Sequence, residues 1–280
     1  MSPLKGKEGK RMIKSNSHTH TEFCDGKSTA EDMVLSAIEK GFTSLGFSGH
    51  SPMDFPNDWG MKKQDVPLYI KEIERLKEKY KDKIEIVCGI ELDADYEGID
   101  LKDFSYSIGS VHQLRFGDEV YYLDYSAEET LRCAKDHFGG NTSLLAKAYF
   151  ERLSDFIVST PVTCVGHFDL IMKFNEKTPI FDESDPVYRE SALKAVRKIL
   201  AEKPGMLFEV NTGAMYRKGN KAPYPSKFIL DEIKKLGGRV TLTSDAHNTE
   251  SLDFGYEVAE KLISDCGFDK VYNLNGNIFT

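Results

Sequence analysis

Short apolar runs alternate along the chain with longer stretches whose apolar positions recur every three or four residues. The runs at 12–17, 45–49, 84–90, 106–111, 162–166, 206–210, 240–244 and 270–274 read as strands, and the stretches near 28–40, 66–81, 126–137, 142–158, 186–202, 225–236 and 250–265 read as helices. The first helix shows the reasoning: Met33, Val34, Ala37 and Ile38 make one apolar stripe, Ser28 and Glu31 form a capping box, and Gly41 stops it. Repeated strand-helix alternation predicts an α/β fold with a parallel sheet under helices, and this many repeats favour closure into a barrel. The stretch 103–140 breaks the rhythm, because SYSIGSVHQLRFGDEVYYLDY reads as a strand followed by a hairpin-like insertion. Residues 1–11 read as a disordered tail and 12–280 as one domain, since no repeat, low-complexity linker or compositional break divides them.

Composition narrows the function. With 40% hydrophobic and 29% charged residues the chain is globular, and a mean hydropathy of -0.42 without a long apolar run leaves no membrane span. A formal net charge of -8 repels nucleic acid and anionic lipid, so an anionic substrate must meet a local positive site. The five cysteines are scattered and form no C-x-x-C pair, which reads as reduced thiols in a cytoplasmic protein. The N-terminal stretch has no apolar core for a signal peptide. Nothing here names an oligomeric state.

The placement of the histidines carries the chemistry. His18 and His20 follow the first predicted strand, His50 the second, Glu91 the third, His112 the fourth and His167 the fifth, while Asp245 and His247 follow 240–244. In a parallel barrel every strand C-terminus opens on one face, so these residues converge there with Asp25. His-x-His on extended backbone puts both imidazoles on one side, where they can grip one ion. Imidazoles mixed with carboxylates suit Zn, Fe or Mn better than Ca or Mg, and nine candidate ligands suit two or three divalent ions rather than one.

HTHTEFCDG (18–26), GHS (49–51), GIELD (89–93), GSVH (109–112), GHFD (166–169) and SDAH (244–247) resemble, in order, the motifs of the polymerase and histidinol phosphatase (PHP) superfamily. GHFDLIMKFN, NTGAMYRKG and the total length most resemble its stand-alone histidinol-phosphate phosphatases. The resemblance implies a distorted (β/α)7, TIM-like barrel with a trinuclear metal centre at the strand C-terminal face. It assigns His18, His20, Glu91 and Asp245 to the first ion, Glu91, His112 and His167 to the second with Glu91 bridging, and Asp25, His50 and His247 to the third. It also implies a phosphomonoesterase that hydrolyses histidinol phosphate, a small-molecule phosphate ester, with a metal-bound hydroxide as the nucleophile. Three divalent ions against Asp25, Glu91 and Asp245 leave about +3, which suits a phosphate dianion.

Other positions are open to more than one reading. Arg217 is the expected phosphate anchor because its planar fork matches phosphate, with Lys218 and Lys173 near the same face, although a solvated basic loop also explains them. The loop SPMDFPNDWG (51–60) offers Asp54 and Trp59 to an imidazole and ammonium substrate, while core packing explains Trp59 equally well. His137 suits a helix C-terminus, or else a cover over substrate, and Cys24 reads as a spectator thiol. The alternative within the superfamily is another small-ester phosphatase or an exonuclease; the acidic charge disfavours nucleic acid. A metal-dependent amidohydrolase and a ligand-free binding module both fit the filled motif set less well.

Overall fold

Seven strands run parallel and enclose a space into which every second side chain points. The computed structural model describes residues 13–274 and 278–279. In chain order the strands are β1 (Ser15–Asn16), β2 (Ser44–Phe47), β3 (Glu85–Asp93), β4 (Tyr106–Ser110), then a separate antiparallel hairpin of β5 (Gln113–Phe116) and β6 (Glu119–Tyr122), then β7 (Cys164–Val165), β8 (Leu207–Asn211) and β9 (Arg239–Thr243). The barrel order is β1-β2-β3-β4-β7-β8-β9. The two ends meet just beyond their strands: Thr19 and Ala246 form a parallel bridge, His20 N donates to Ala246 O at 2.8 Å and Ala246 N to His18 O at 3.1 Å. Below that seam Asn16 Nδ2 donates to Ser244 Oγ at 2.7 Å.

Register decides what fills the interior. Gly89, Glu91 and Asp93 pair with Tyr106, Ile108 and Ser110, while Leu207, Glu209 and Asn211 pair with Arg239, Thr241 and Thr243. Period two sends each of these sets to one face, and the interior is therefore graded along the barrel axis. At the N-terminal end Tyr106, Ile108, Cys164, Leu207 and Leu274 make an apolar cluster. Toward the C-terminal end the buried residues are polar: Glu91, Asp93, Ser110, Glu209, Asn211 and Thr243.

Tyr106 spans the lower barrel, its hydroxyl 2.7 Å from Ser17 O and 3.0 Å from Phe47 O. A Cβ at Gly46 would lie 2.4 Å from that hydroxyl, and one at Gly89 2.3 Å from the ring. Glycine is required at both places because the ring occupies the space of a side chain.

Helices α1 (Ala30–Glu39), α2 (Val66–Tyr80), α3 (Ala127–Phe138), α4 (Thr142–Ser159), α5 (Pro186–Glu202), α6 (Gly213–Lys218), α7 (Lys227–Lys235) and α8 (Tyr256–Asp265) account for the α-helical segments of the described residues. Their apolar stripes bury Met33, Tyr69, Ile73, Phe150, Ile199 and Ile233 in the main core. Two expectations change. The cap of α1 is Thr29 rather than Ser28: Thr29 Oγ1 accepts from Asp32 N at 3.1 Å, so the cap lies one residue later and Glu31 is left to pair with Arg75 and Lys79. The run 270–274 is no barrel strand, since β10 (Val271–Tyr272) pairs antiparallel with β11 (Ile278–Phe279), and Leu274 plugs the apolar end instead. The hairpin expected within 103–140 is present as β5 and β6. The expected tail at 1–11 and the first residue of the 12–17 run lie outside the described residues.

Gly89→Ala should force the Tyr106 ring aside and cost about 1–3 kcal/mol, the usual range for overpacking a filled core. Urea unfolding read by fluorescence checks this, and Tyr106→Leu in the Gly89→Ala background should recover part of the loss.

Candidate metal centre and the chambers above it

The seam brings two alternating tripeptides face to face. In His18-Thr19-His20 and Asp245-Ala246-His247 the middle residues make the bridge, and the outer side chains meet at the barrel mouth. His20 Nε2 lies 3.1 Å from Asp245 Oδ1, and the His20 and His247 rings stack with centroids 4.1 Å apart. Asp245 adopts φ 49, a left-handed conformation that costs a non-glycine residue about 1–2 kcal/mol and that Asp tolerates better than most.

Glu91 sits at the centre. His50 Nδ1 and His18 Nε2 approach its Oε2 at 2.8 and 3.2 Å, and His167 Nε2 and His112 Nε2 approach Oε1 at 3.0 and 3.5 Å. Ser110 Oγ donates to Oε1 at 2.6 Å. At the rim Asp25 lies 3.1 Å from His247 Nε2 and 3.7 Å from His50 Nε2. All nine residues expected as ligands therefore meet in one place. Three groups have donor atoms within 4.8 Å of one another: His18, His20 and Glu91; His50, Glu91 and His112; and His20, Asp25, His50 and His247.

The grouping differs in detail from the expected partition. His50 stands beside Glu91 as well as beside Asp25, and His20 faces both the seam and the rim. Both histidines lie between neighbouring clusters.

These residues fit metal ions on a physical ground. His18 Nε2, His20 Nε2, Glu91 Oε2, Asp25 Oδ1 and His167 Nδ1 are all buried with no hydrogen-bond partner, a costly condition that cations would relieve for the atoms facing the cluster. Outer contacts orient the rings as metal-binding histidines require. Glu209 Oε1 lies 2.5 Å from His18 Nδ1 and accepts from Thr243 Oγ1 at 2.7 Å, while its Oε2 accepts from His167 N and Asn211 Nδ2. Asp93 Oδ2 lies 2.9 Å from His112 Nδ1, and Gln113 holds the other oxygen at 2.6 Å. Cys24 Sγ, 3.5 Å from His20 Nδ1, is a packing neighbour, and burial and then Asp25 push its thiol up to about 12.

Charge follows from this crowding. Burial alone would raise the carboxyl of Glu91, but His18, His50 and His112 hold it well below the usual range. Burial would lower His18, yet Glu209, Glu91 and Asp245 raise it well above an ordinary imidazole, and Glu91 and Asp93 raise His112 to about 9 against the same burial. His20 is lowered to about 3 by burial and by His247 and His50.

Two joined chambers open over the cluster. The first, about 600 Å³, is lined by Asp25, His50, His112, His167, Arg217 and Asp245, with Lys173 and Asp124 on its wall. The second, about 920 Å³, adds Asp58, Trp59, Tyr122, Tyr125, Glu129 and Lys218. Arg217 places Nη2 2.7 Å from Asp245 Oδ2 and Nη1 2.8 Å from Asp245 O, with its side chain 25% exposed at the chamber. Lys173 donates to Asp124 Oδ2 at 3.0 Å; Lys218 lies over the Phe174 ring. Trp59 packs edge-on against His50, centroids 4.7 Å apart.

Asp54 does not join them, because Arg115 Nη1 holds both of its oxygens, at 2.7 and 2.8 Å. His137 is also elsewhere: its ring stacks on Phe116 at 3.8 Å and Nε2 meets Tyr121 Oη at 3.2 Å, so it fastens the hairpin to α3. Glu209, Asp93 and Asp124 escaped the sequence reading. The signal for Glu209 was there, a lone charge of inward parity in the apolar strand LFEV.

The PHP domain family model matches residues 16–213, and the chain belongs to that family. A Schizosaccharomyces pombe protein named probable histidinol-phosphatase is 30% identical over 275 residues, covering 90% of this chain and 86% of its own. The histidinol-phosphatase of Bacillus subtilis is 29% identical, with 88% of this chain and 98% of its own covered. Among solved structures, histidinol phosphate phosphatase from Lactococcus lactis, complexed with Zn, L-histidinol and phosphate, superimposes with a TM-score of 0.67 at 23% identity over 96% of this chain and 100% of that one. At that identity the likeness shows the shared fold, a distorted TIM-like barrel. No helix among the described residues is long and apolar enough to cross a membrane.

Two outcomes follow for the metal centre. Glu209→Gln keeps the shape but removes the charge that orients His18, so it should weaken metal binding by about 10- to 100-fold with little change in secondary structure; chelator competition measures it. Protons on His18 and His112 compete with metal, since both are raised above an ordinary imidazole. Apparent Zn affinity should accordingly rise with pH up to about 9, and binding should release protons, as calorimetry in buffers of different ionisation enthalpy would record.

Proposed function

We propose that the chain is a metal-dependent phosphomonoesterase that hydrolyses L-histidinol phosphate to L-histidinol and phosphate in histidine biosynthesis. One observation carries the reading. Unpartnered imidazole and carboxylate atoms lie in the cluster beneath a chamber whose wall holds Lys27, Lys173 and Arg217 beside Asp25, Asp124 and Asp245, so bound cations would make it a positive site in a protein of net charge -8. The relatives' names point the same way.

Two or three divalent ions, Zn, Fe or Mn, would be held by His18, His20, Asp25, His50, Glu91, His112, His167, Asp245 and His247. When bound they would acidify water and polarise the phosphoryl oxygens. Glu91 would serve two ions, because its two oxygens face different histidines. Arg217 holds Asp245 through both Nη1 and Nη2, and the N–H bonds these contacts leave over are offered to the phosphate in the chamber that Lys173 also lines. Lys218 is placed at the second chamber, where burial and then the neighbouring cations Lys173 and Arg217 lower it.

The imidazole end of the substrate lies in the second chamber. Trp59, Tyr122 and Tyr125 supply ring faces there, and Asp58 and Glu129 supply carboxylates. The five cysteines are all free thiols, in keeping with a cytoplasmic enzyme.

The test is a panel of phosphomonoesters assayed with the metal-loaded protein. Histidinol phosphate should show a higher kcat/KM than aryl phosphates or a single-stranded oligonucleotide; equal values would leave a general phosphatase, and faster 3′-end digestion an exonuclease. Arg217→Lys should lower kcat/KM on histidinol phosphate by about 10- to 100-fold, the cost of one charge-assisted hydrogen bond. Metal content measured on the same preparation should stay within that of the parent protein.

A further inference from the structure

Five residues line both chambers: Asp25, His50, His112, Asp124 and Lys173. The first three belong to the metal set. Only Asp124 and Lys173 stand at the junction with no ion to hold, and they hold each other, Lys173 Nζ donating to Asp124 Oδ2 at 3.0 Å. Lys173 is 8% exposed, and its neighbour Asn220 fixes the backbone by donating to Lys173 O at 3.2 Å. Asp124 is held down to about 2, since Lys173 and His112 outweigh the burial that would raise it. Its side chain keeps 25% of its exposure, so the carboxylate remains accessible from the chambers.

A neutral pair at this position has a cost for an incoming phosphate. A dianion in the first chamber draws Lys173 toward itself and leaves Asp124 with a weaker partner in a partly buried site, which offsets much of the attraction. A ligand that brings its own cation beside the phosphate removes that cost.

We propose that the Asp124–Lys173 pair is a specificity element for phosphate esters of 2-amino alcohols: the phosphate takes Lys173, the ammonium on the adjacent carbon takes Asp124, and one internal ion pair becomes two across the interface. This rests on the phosphomonoesterase reading of the chamber. In such an ester the ammonium and phosphate are separated by two carbons, so the two charges lie about as far apart as the partners of one ion pair. The pair is thus a template of opposite polarity to the ligand. It acts mainly by rejection, because esters without the amine strand the carboxylate.

The experiment uses the metal-loaded enzyme and two esters, histidinol phosphate and 3-(imidazol-4-yl)propyl phosphate, which differ only in the amine. The parent protein should prefer the amino ester by about 10- to 100-fold in kcat/KM, the worth of one buried charge-assisted contact. Asp124→Asn should lower kcat/KM for the amino ester and leave the other ester unchanged or faster, because Lys173 is then free for phosphate. A loss of overall integrity would slow both esters by the same factor, and that result, or a retained preference, would overturn the proposal.

A second measurement needs no variant. 2-Aminoethyl phosphate should inhibit the parent enzyme about 10-fold more tightly than ethyl phosphate, and equal inhibition would also overturn it. Turnover of neither imidazole ester would overturn the phosphatase reading itself, whereas equal turnover of both would keep that reading and remove the role of the pair.

Discussion

The bridge between Thr19 and Ala246 is the contact on which the rest depends. Two backbone hydrogen bonds close a seven-stranded sheet there, and closure is what turns two separate tripeptides into opposing halves of one cluster. Because side chains alternate, the residues on either side of each bridging residue have no choice of direction. Closing the barrel and assembling the ligands are one event, so the backbone register of β1 against β9 sets the position of His18, His20, Asp245 and His247 together.

What closure assembles is electrostatically uncomfortable without cations. Glu91, Glu209, Asp93 and Asp245 are buried with several imidazoles, and some of their atoms find no partner. The graded interior contains this cost: the apolar end around Tyr106 and Leu207 supplies hydrophobic burial, and the polar end spends part of it. Anything that binds the folded cluster and not the unfolded chain adds to stability by mass action, so metal occupancy and folding are linked.

Much of this was legible in the sequence. Strand-end histidines, the H-x-H and D-x-H pairs and the insertion at 103–140 lie where their spacing places them, because period and parity are local properties of the backbone. The orienting carboxylates were harder to see, for Glu209 lies mid-strand and Asp93 at a strand end, and both gain meaning only from neighbours 191 and 19 residues away. The α1 cap moved by one residue because Thr29 and Ser28 are chemically interchangeable caps, and tertiary pairing of Glu31 with Arg75 and Lys79 settled the choice. Asp54 has the right chemistry for a cationic ligand, yet Arg115, distant in sequence, occupies it.

The hairpin β5–β6 shares no ladder with the barrel and is pinned from outside by His137 on Phe116 and Tyr121. It nevertheless begins directly after His112 and ends two residues before Asp124, and it contributes Tyr122 to the second chamber. Beyond Gln113, whose side chain holds the Asp93 carboxylate that orients His112, a wall mounted in this way can change length or sequence without disturbing the hydrogen bonds that hold the ligands. Divergence toward new substrates is therefore mechanically cheap in this part of the chain, while at the seam any shift of register would dismantle the reaction centre.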